Sequence, residues 1–166
     1  MKSERPVKIK IMSTLSDYSS EYPAFLVDMM NTYGNVRLPQ SPFPEKIELI
    51  TEGILRDTGD RIELEYEETE LTGMEGATTT LSYDKQNPNI ITVLRDGSIQ
   101  TALVFEEGVR HICMYETLYM PIELCVATTT LTNELTFEGG QIALDYLIET
   151  GGEQAERTRL SISILS

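Results

Sequence analysis

From Glu45 to Phe105 apolar and polar residues alternate with a period of two, and turn-forming residues interrupt the alternation at short intervals. A period of two puts successive side chains on opposite faces of a strand, whereas a helix would scatter them around its axis. The runs Lys46–Leu55, Arg61–Thr69, Ala77–Tyr83, Asn89–Arg95 and Ser98–Phe105 therefore read as strands. The cleanest is Arg61–Thr69: Ile62, Leu64, Tyr66 and Glu68 fall on one side, and Arg61, Glu63, Glu65 and Glu67 on the other. At Arg95-Asp96-Gly97-Ser98, an Asp-Gly pair between β-branched runs is a strong hairpin signal. The expected register sets Ile90, Thr92 and Leu94 opposite Leu103, Thr101 and Ile99. Arg95 depends on the turn: a two-residue type I′ turn leaves it outside, whereas a type I turn with a G1 bulge moves the register by one and points it inward.

The same pattern continues on both sides. Val7, Ile9 and Ile11 alternate with Lys8 and Lys10 in a strand over 7–16, while Val109–Thr117 and Ile122–Thr132 form another hairpin. Ile142, Leu144, Tyr146 and Ile148 alternate in Gln141–Glu149, as do Thr158, Leu160, Ile162 and Ile164 in Arg157–Leu165. Gly53 reads as a bulge or bend within its strand. One segment departs from the pattern. From Ser19 to Tyr33, the residues Tyr22, Phe25, Leu26, Met29, Met30 and Tyr33 follow helical spacing, with Ser20 as a cap, Pro23 in the first turn and Gly34 as a stop. Pro39, Pro42 and Pro44 then hold the chain extended. This helix is expected over one end of the sheet, either as a plug or as a lid on a ligand chamber.

Strands of roughly eight to twelve residues, each pair joined by a turn, describe an up-and-down antiparallel sheet. A large sheet with one apolar face closes to remove its edges. The expected fold is all-β: a single antiparallel β-barrel of about eight to ten strands spanning residues 1–166, with a helix-plus-proline insertion at about 18–44. At 166 residues, with 40% hydrophobic side chains, the chain can bury such a core.

The net charge of −14 sets the barrel against nucleic-acid phosphates and anionic lipid surfaces, so neither is an expected partner. No apolar run is long enough for a membrane helix, and Met1-Lys-Ser-Glu-Arg-Pro leads into a strand rather than the apolar core of a signal peptide; a cytoplasmic location is expected. Two cysteines, Cys113 and Cys125, are too few for a disulfide scaffold, and with Tyr115 and Leu124 both inward they fall on opposite faces. His111 is the sole histidine; even with Cys113 two residues away it does not supply a metal site. Neither a Gly-x-Ser-x-Gly elbow nor a phosphate-binding Gly-rich loop is present, and no cofactor is expected.

The order of short motifs Thr51-Glu-Gly53, Tyr66-Glu-Glu-Thr69, Thr72-Gly-Met74, the Thr-rich strand at 78–80 and Val93-Leu-Arg-Asp-Gly97 resembles a bacterial family of unknown function, the YwiB-like proteins. Phe105, Gly108, Tyr115-Glu-Thr117, Thr128 and Tyr146 carry the resemblance onward, which covers about residues 7–17 and 45–165. Two places depart from it: the 18–44 segment looks inserted, and Tyr119-Met-Pro121 stands where relatives carry an aromatic residue followed by Gly. The resemblance implies a calycin-like, lipocalin-like barrel, a fold that hosts many functions.

The polar residues phased inward are Tyr66, Glu68, Thr79, Arg95, Tyr115, Thr117, Thr128 and Tyr146. A buried charge needs a counter-charge, so Glu68 and Arg95 are expected to meet. Two outcomes follow. The polar set either fills the barrel and fixes strand register, or lines a pocket that orients a small apolar or carboxylate-bearing molecule on Arg95. The leading expectation is ligand binding without catalysis at Tyr66, Glu68, Arg95, Tyr115, Thr117, Thr128 and Tyr146. A filled barrel used in protein interaction is the alternative, and an enzyme with Glu68 as a general base comes third.

Overall fold

The computed structural model describes residues 2–17, 45–68, 76–97, 100–116, 121–150 and 153–165. Among them are ten strands: β1 (Ser3–Asp17), β2 (Glu45–Asp57), β3 (Arg61–Glu67), β4 (Thr78–Asp84), β5 (Asn87–Asp96), β6 (Thr101–Glu106), β7 (Arg110–Glu116), β8 (Pro121–Asn133), β9 (Gln141–Thr150) and β10 (Glu153–Ile164). Each pairs antiparallel with its neighbours in sequence, and β1 pairs with both β2 and β10, which closes the barrel. Closure leaves no exposed edge in this long antiparallel sheet. Lys10 of β1 pairs with Ser163 of β10 at the closing seam, while its ammonium reaches to the other side and meets Glu48 of β2 at 3.1 Å. The helix expected over Ser19–Tyr33 lies outside the described residues, and among the described residues there is no helix.

The alternation seen in sequence becomes inside and outside. Ile9, Leu55, Leu64, Leu81, Ile91, Phe105, Val126 and Ile142 are fully buried in one core, whereas Ile50 and Ile112, one residue out of phase, are exposed. Burying side chains of this size stabilises by about 1.5–3 kcal/mol each, which is why the register is strongly specified. Gly53 sits on the inner phase of β2 with regular pairing to Val7 and Tyr66, so it is neither a bulge nor a break. A Cβ there would lie 2.7 Å from the Glu65 carbonyl oxygen, so the glycine lets two strands approach closely.

The hairpin at Asp96-Gly97 corrects the expected register. Arg95 pairs with Thr101, Val93 with Leu103 and Ile91 with Phe105, so the two-residue turn is replaced by a longer connection. The shift is three residues, an odd number, and it exchanges the faces of β5. Ile91 and Val93 point inward, while Leu94 is exposed and Ile90 and Thr92 are not on the inner face. Two buried β-branched side chains outweigh the preference of Asp-Gly for a tight turn.

One end of the barrel is closed by a feature that alternation does not signal. The loop between β8 and β9 folds inward at Leu135, which joins the core, and the buried Tyr83 hydroxyl donates to the Leu135 carbonyl. Thr136 and Gly139 bridge each other, Arg5 donates from Nε to the Phe137 carbonyl at 2.9 Å, and its guanidinium lies 5.5 Å from the Phe137 ring centre. Gly140 has φ +107°, and a Cβ there would fall 1.9 Å from the Glu134 carbonyl oxygen; only glycine permits this turn. The polar inward residues collect toward the opposite end.

Candidate ligand-binding site

Pairing carries a row of polar residues around one side of the interior. Tyr66 on β3 pairs with Thr79 on β4, Thr79 with Arg95 on β5, Arg95 with Thr101 on β6, and Thr101 with Tyr115 on β7. A second row joins Thr128 on β8, Tyr146 on β9 and Thr158 on β10. Glu68 follows β3, and its amide donates to the Ala77 carbonyl at 2.8 Å, which holds its carboxylate over the first row.

Tyr66, Glu68, Thr79, Thr101, Thr128, Tyr146 and Thr158 are all buried. Thr79 donates from Oγ1 to Glu68 Oε1 at 2.6 Å, and Arg95 Nε faces the same oxygen at 3.6 Å. The Arg95 side chain therefore points inward and opposes Glu68. The inward direction expected from a type I turn with a bulge is observed, but through the longer connection. Burial pushes the Tyr66 phenol well above its ordinary pKa, and the Glu68 carboxylate adds to this, while Arg95 and the Thr79 hydroxyl pull it back in part. Burial likewise raises Tyr146, opposed by Arg95 and by Thr158. Arg95 acts on both phenols, so the two rows face each other across the barrel. Phe105 backs the second row with its ring 4.6 Å from that of Tyr146.

Two buried polar atoms have no hydrogen-bond partner among the described residues: Arg95 Nε and Thr128 Oγ1. Leaving a buried donor unsatisfied costs about 1–3 kcal/mol, so such atoms mark a place where water or a ligand belongs. Beside Arg95 a depression of about 410 Å³ is lined by Leu94, Arg95, Asp96, Gln100, Thr101, Ala102 and Met114. Its residues come from both faces of β5 and β6, which places it at the rim of the barrel rather than along its axis.

Of the residues expected at the site, Tyr66, Glu68, Arg95, Thr128 and Tyr146 have described side chains facing the interior. Tyr115 takes its place in the first row by backbone pairing, but its side chain lies outside the described residues, as does Thr117 altogether. Thr101 and Thr158 escaped the sequence reading. Both were legible as threonines on the inward phase of their strands, Thr158 with Leu160 and Ile162, and Thr101 with Leu103, whose face the hairpin shift leaves unchanged. Cys113 is buried and paired with the buried Leu124, while Cys125 sits on the other phase; both are free thiols on opposite faces. His111 bonds Glu106 at 3.1 Å, and no three His, Cys, Asp or Glu side chains among the described residues form a metal-binding group.

A family described as a domain of unknown function, DUF1934, matches residues 34–162. The chain belongs to this family. The crystal structure of the YwiB protein from Bacillus subtilis superposes with a TM-score of 0.69 over 98% of this chain and 94% of that one, at 18% identity. At that identity the likeness is one of fold, and it supports the YwiB-like resemblance read from the short motifs. No curated protein matches the sequence. No described helix is long and apolar enough to cross a membrane.

Proposed function

We propose that this DUF1934 barrel binds a small, largely apolar molecule at the mouth of its interior, in the depression beside Arg95, and holds one polar group of it on Arg95. The observation that carries the reading is the buried Arg95 Nε, which is aimed inward, lies 3.6 Å from an already engaged Glu68 oxygen, and has no hydrogen-bond partner among the described residues. The apolar walls would take the body of the ligand, and Tyr66, Thr128 and Tyr146 would supply hydroxyl contacts. Tyr115 and Thr117 belong to the same proposal by their place in the sequence pattern. The reading needs no catalytic group, cofactor or metal.

The fully buried Leu55, Leu64, Ile91 and Val126 favour a second reading, a barrel filled by its own side chains that serves as an interaction module. Thermal-shift screening against small carboxylates, amides and lipids separates the two. A ligand at a hundred times its Kd adds about 2.7 kcal/mol, a shift of several degrees. Arg95→Ala should abolish that shift while the variant remains folded. A full shift retained by Arg95→Ala removes Arg95 as the anchor, and no shift with any probe favours the filled barrel.

A further inference from the structure

The proposed binding role leaves open what kind of polar group Arg95 would hold, and the charges around it narrow the choice. Arg95 already opposes Glu68, whose carboxylate is almost wholly buried, with a side chain 2% exposed. Its sequence neighbour Asp96 lines the same depression and accepts a hydrogen bond from Gln100 Nε2 at 3.2 Å. Arg95 is thus the one cation lining this depression among the described residues, set against the carboxylates of Glu68 and Asp96, in a chain whose net charge is −14.

A ligand carboxylate bound to Arg95 would bring a second anion beside Glu68 in a site with little water to screen it, and like charges at such range repel strongly. The hydrogen-bond pattern asks for something else. Arg95 Nε–H needs an acceptor, Glu68 is an acceptor, and the Thr128 hydroxyl can donate or accept. Resting on the binding role proposed above, we infer that the ligand's polar group is uncharged and presents a hydrogen-bond acceptor beside a donor, as a carboxamide or lactam does. The carbonyl oxygen would take the Arg95 N–H, and the amide N–H would face the Glu68 carboxylate. This departs from the carboxylate that Arg95 suggests when it is read alone.

Octanamide, octanoate and octylammonium share one tail and differ only in the polar group, and their affinities for the full chain can be compared by calorimetry at pH 7.5. Octanamide is expected to bind at least tenfold tighter than octanoate or octylammonium. In Glu68→Gln, which removes the negative charge but keeps an acceptor, the preference over octanoate should shrink at least fivefold. If the wild-type protein binds octanoate or octylammonium as tightly as octanamide, the inference is overturned and the binding role stands. Binding of none of the three overturns the role as well. An amide preference unchanged in a folded Glu68→Gln overturns the assignment to Glu68; should that variant fail to fold, the wild-type ratios decide.

Discussion

Glu68 and Arg95 show how much a single pair decides. Breaking a fully buried ion pair costs about 3–5 kcal/mol, but the Arg95 side chain is 26% exposed and its Nε stands 3.6 Å from the carboxylate, so the effect here should be smaller. Glu68→Gln is expected to destabilise by about 1–2 kcal/mol in urea titrations, and a cycle with Arg95→Gln should give a coupling near 1 kcal/mol. A coupling indistinguishable from zero would mean that the two charges do not sense each other. The buried phenols make a second prediction. Tyr66 and Tyr146 have folded pKa values raised above the ordinary tyrosine value, so the unfolded chain loses those protons first. Their contribution is fully present below about pH 10 and is lost as pH rises from there toward the folded values. The melting temperature should therefore fall steeply above that pH, and Tyr66→Phe should flatten the slope; an equally steep fall in the variant would assign the effect elsewhere.

Among the elements, β6 and β7 are the weakest junction. Their register holds one residue pair, Thr101 with Tyr115, whereas β1 and β2 are paired from Ser3 to Leu15. Cys113 occupies part of this seam, its Sγ donating to the His111 carbonyl at 3.9 Å, and burial raises its thiol pKa. On the outer surface the seam leaves Ile112 and Met114 exposed. Local opening follows the least bonded elements, so amides of Leu103–Phe105 and Ile112–Met114 that face the seam should exchange at least tenfold faster than those of Ile9–Ile11. Equal protection by NMR-detected exchange would show the seam to be bonded like the rest. The β8–β9 loop is the opposite case. Its inward fold at Leu135, the bond from Tyr83 and the glycine at 140 make it part of the core rather than a surface connection.

For the whole molecule the dominant long-range term is self-repulsion at net charge −14. Surface ion pairs such as Lys10–Glu48 and Lys85–Asp57 contribute about 0–1 kcal/mol each and are screened by salt, but repulsion among so many carboxylates is screened as well. The repulsion should win, so raising NaCl from low to about 0.5 M should increase stability by about 1 kcal/mol, or about 2–4 °C in melting temperature. A fall on adding salt would show that the ion pairs matter more. What the amino-acid order determined alone was local: the period-two alternation gave nearly every strand and its inward face, since burial rewards one phase over the other whatever the neighbours are. It also placed Tyr66, Glu68, Thr128 and Tyr146 inside. Tertiary structure alone decided what depends on which strand meets which. The three-residue shift of the β5–β6 hairpin, the inward Arg95 that comes with it, the plug at Leu135 and the seam between β6 and β7 all arise from closing ten strands into one ring. Closure fixes every register against every other, and no turn sequence, however strong, sets its own pairing independently of that ring.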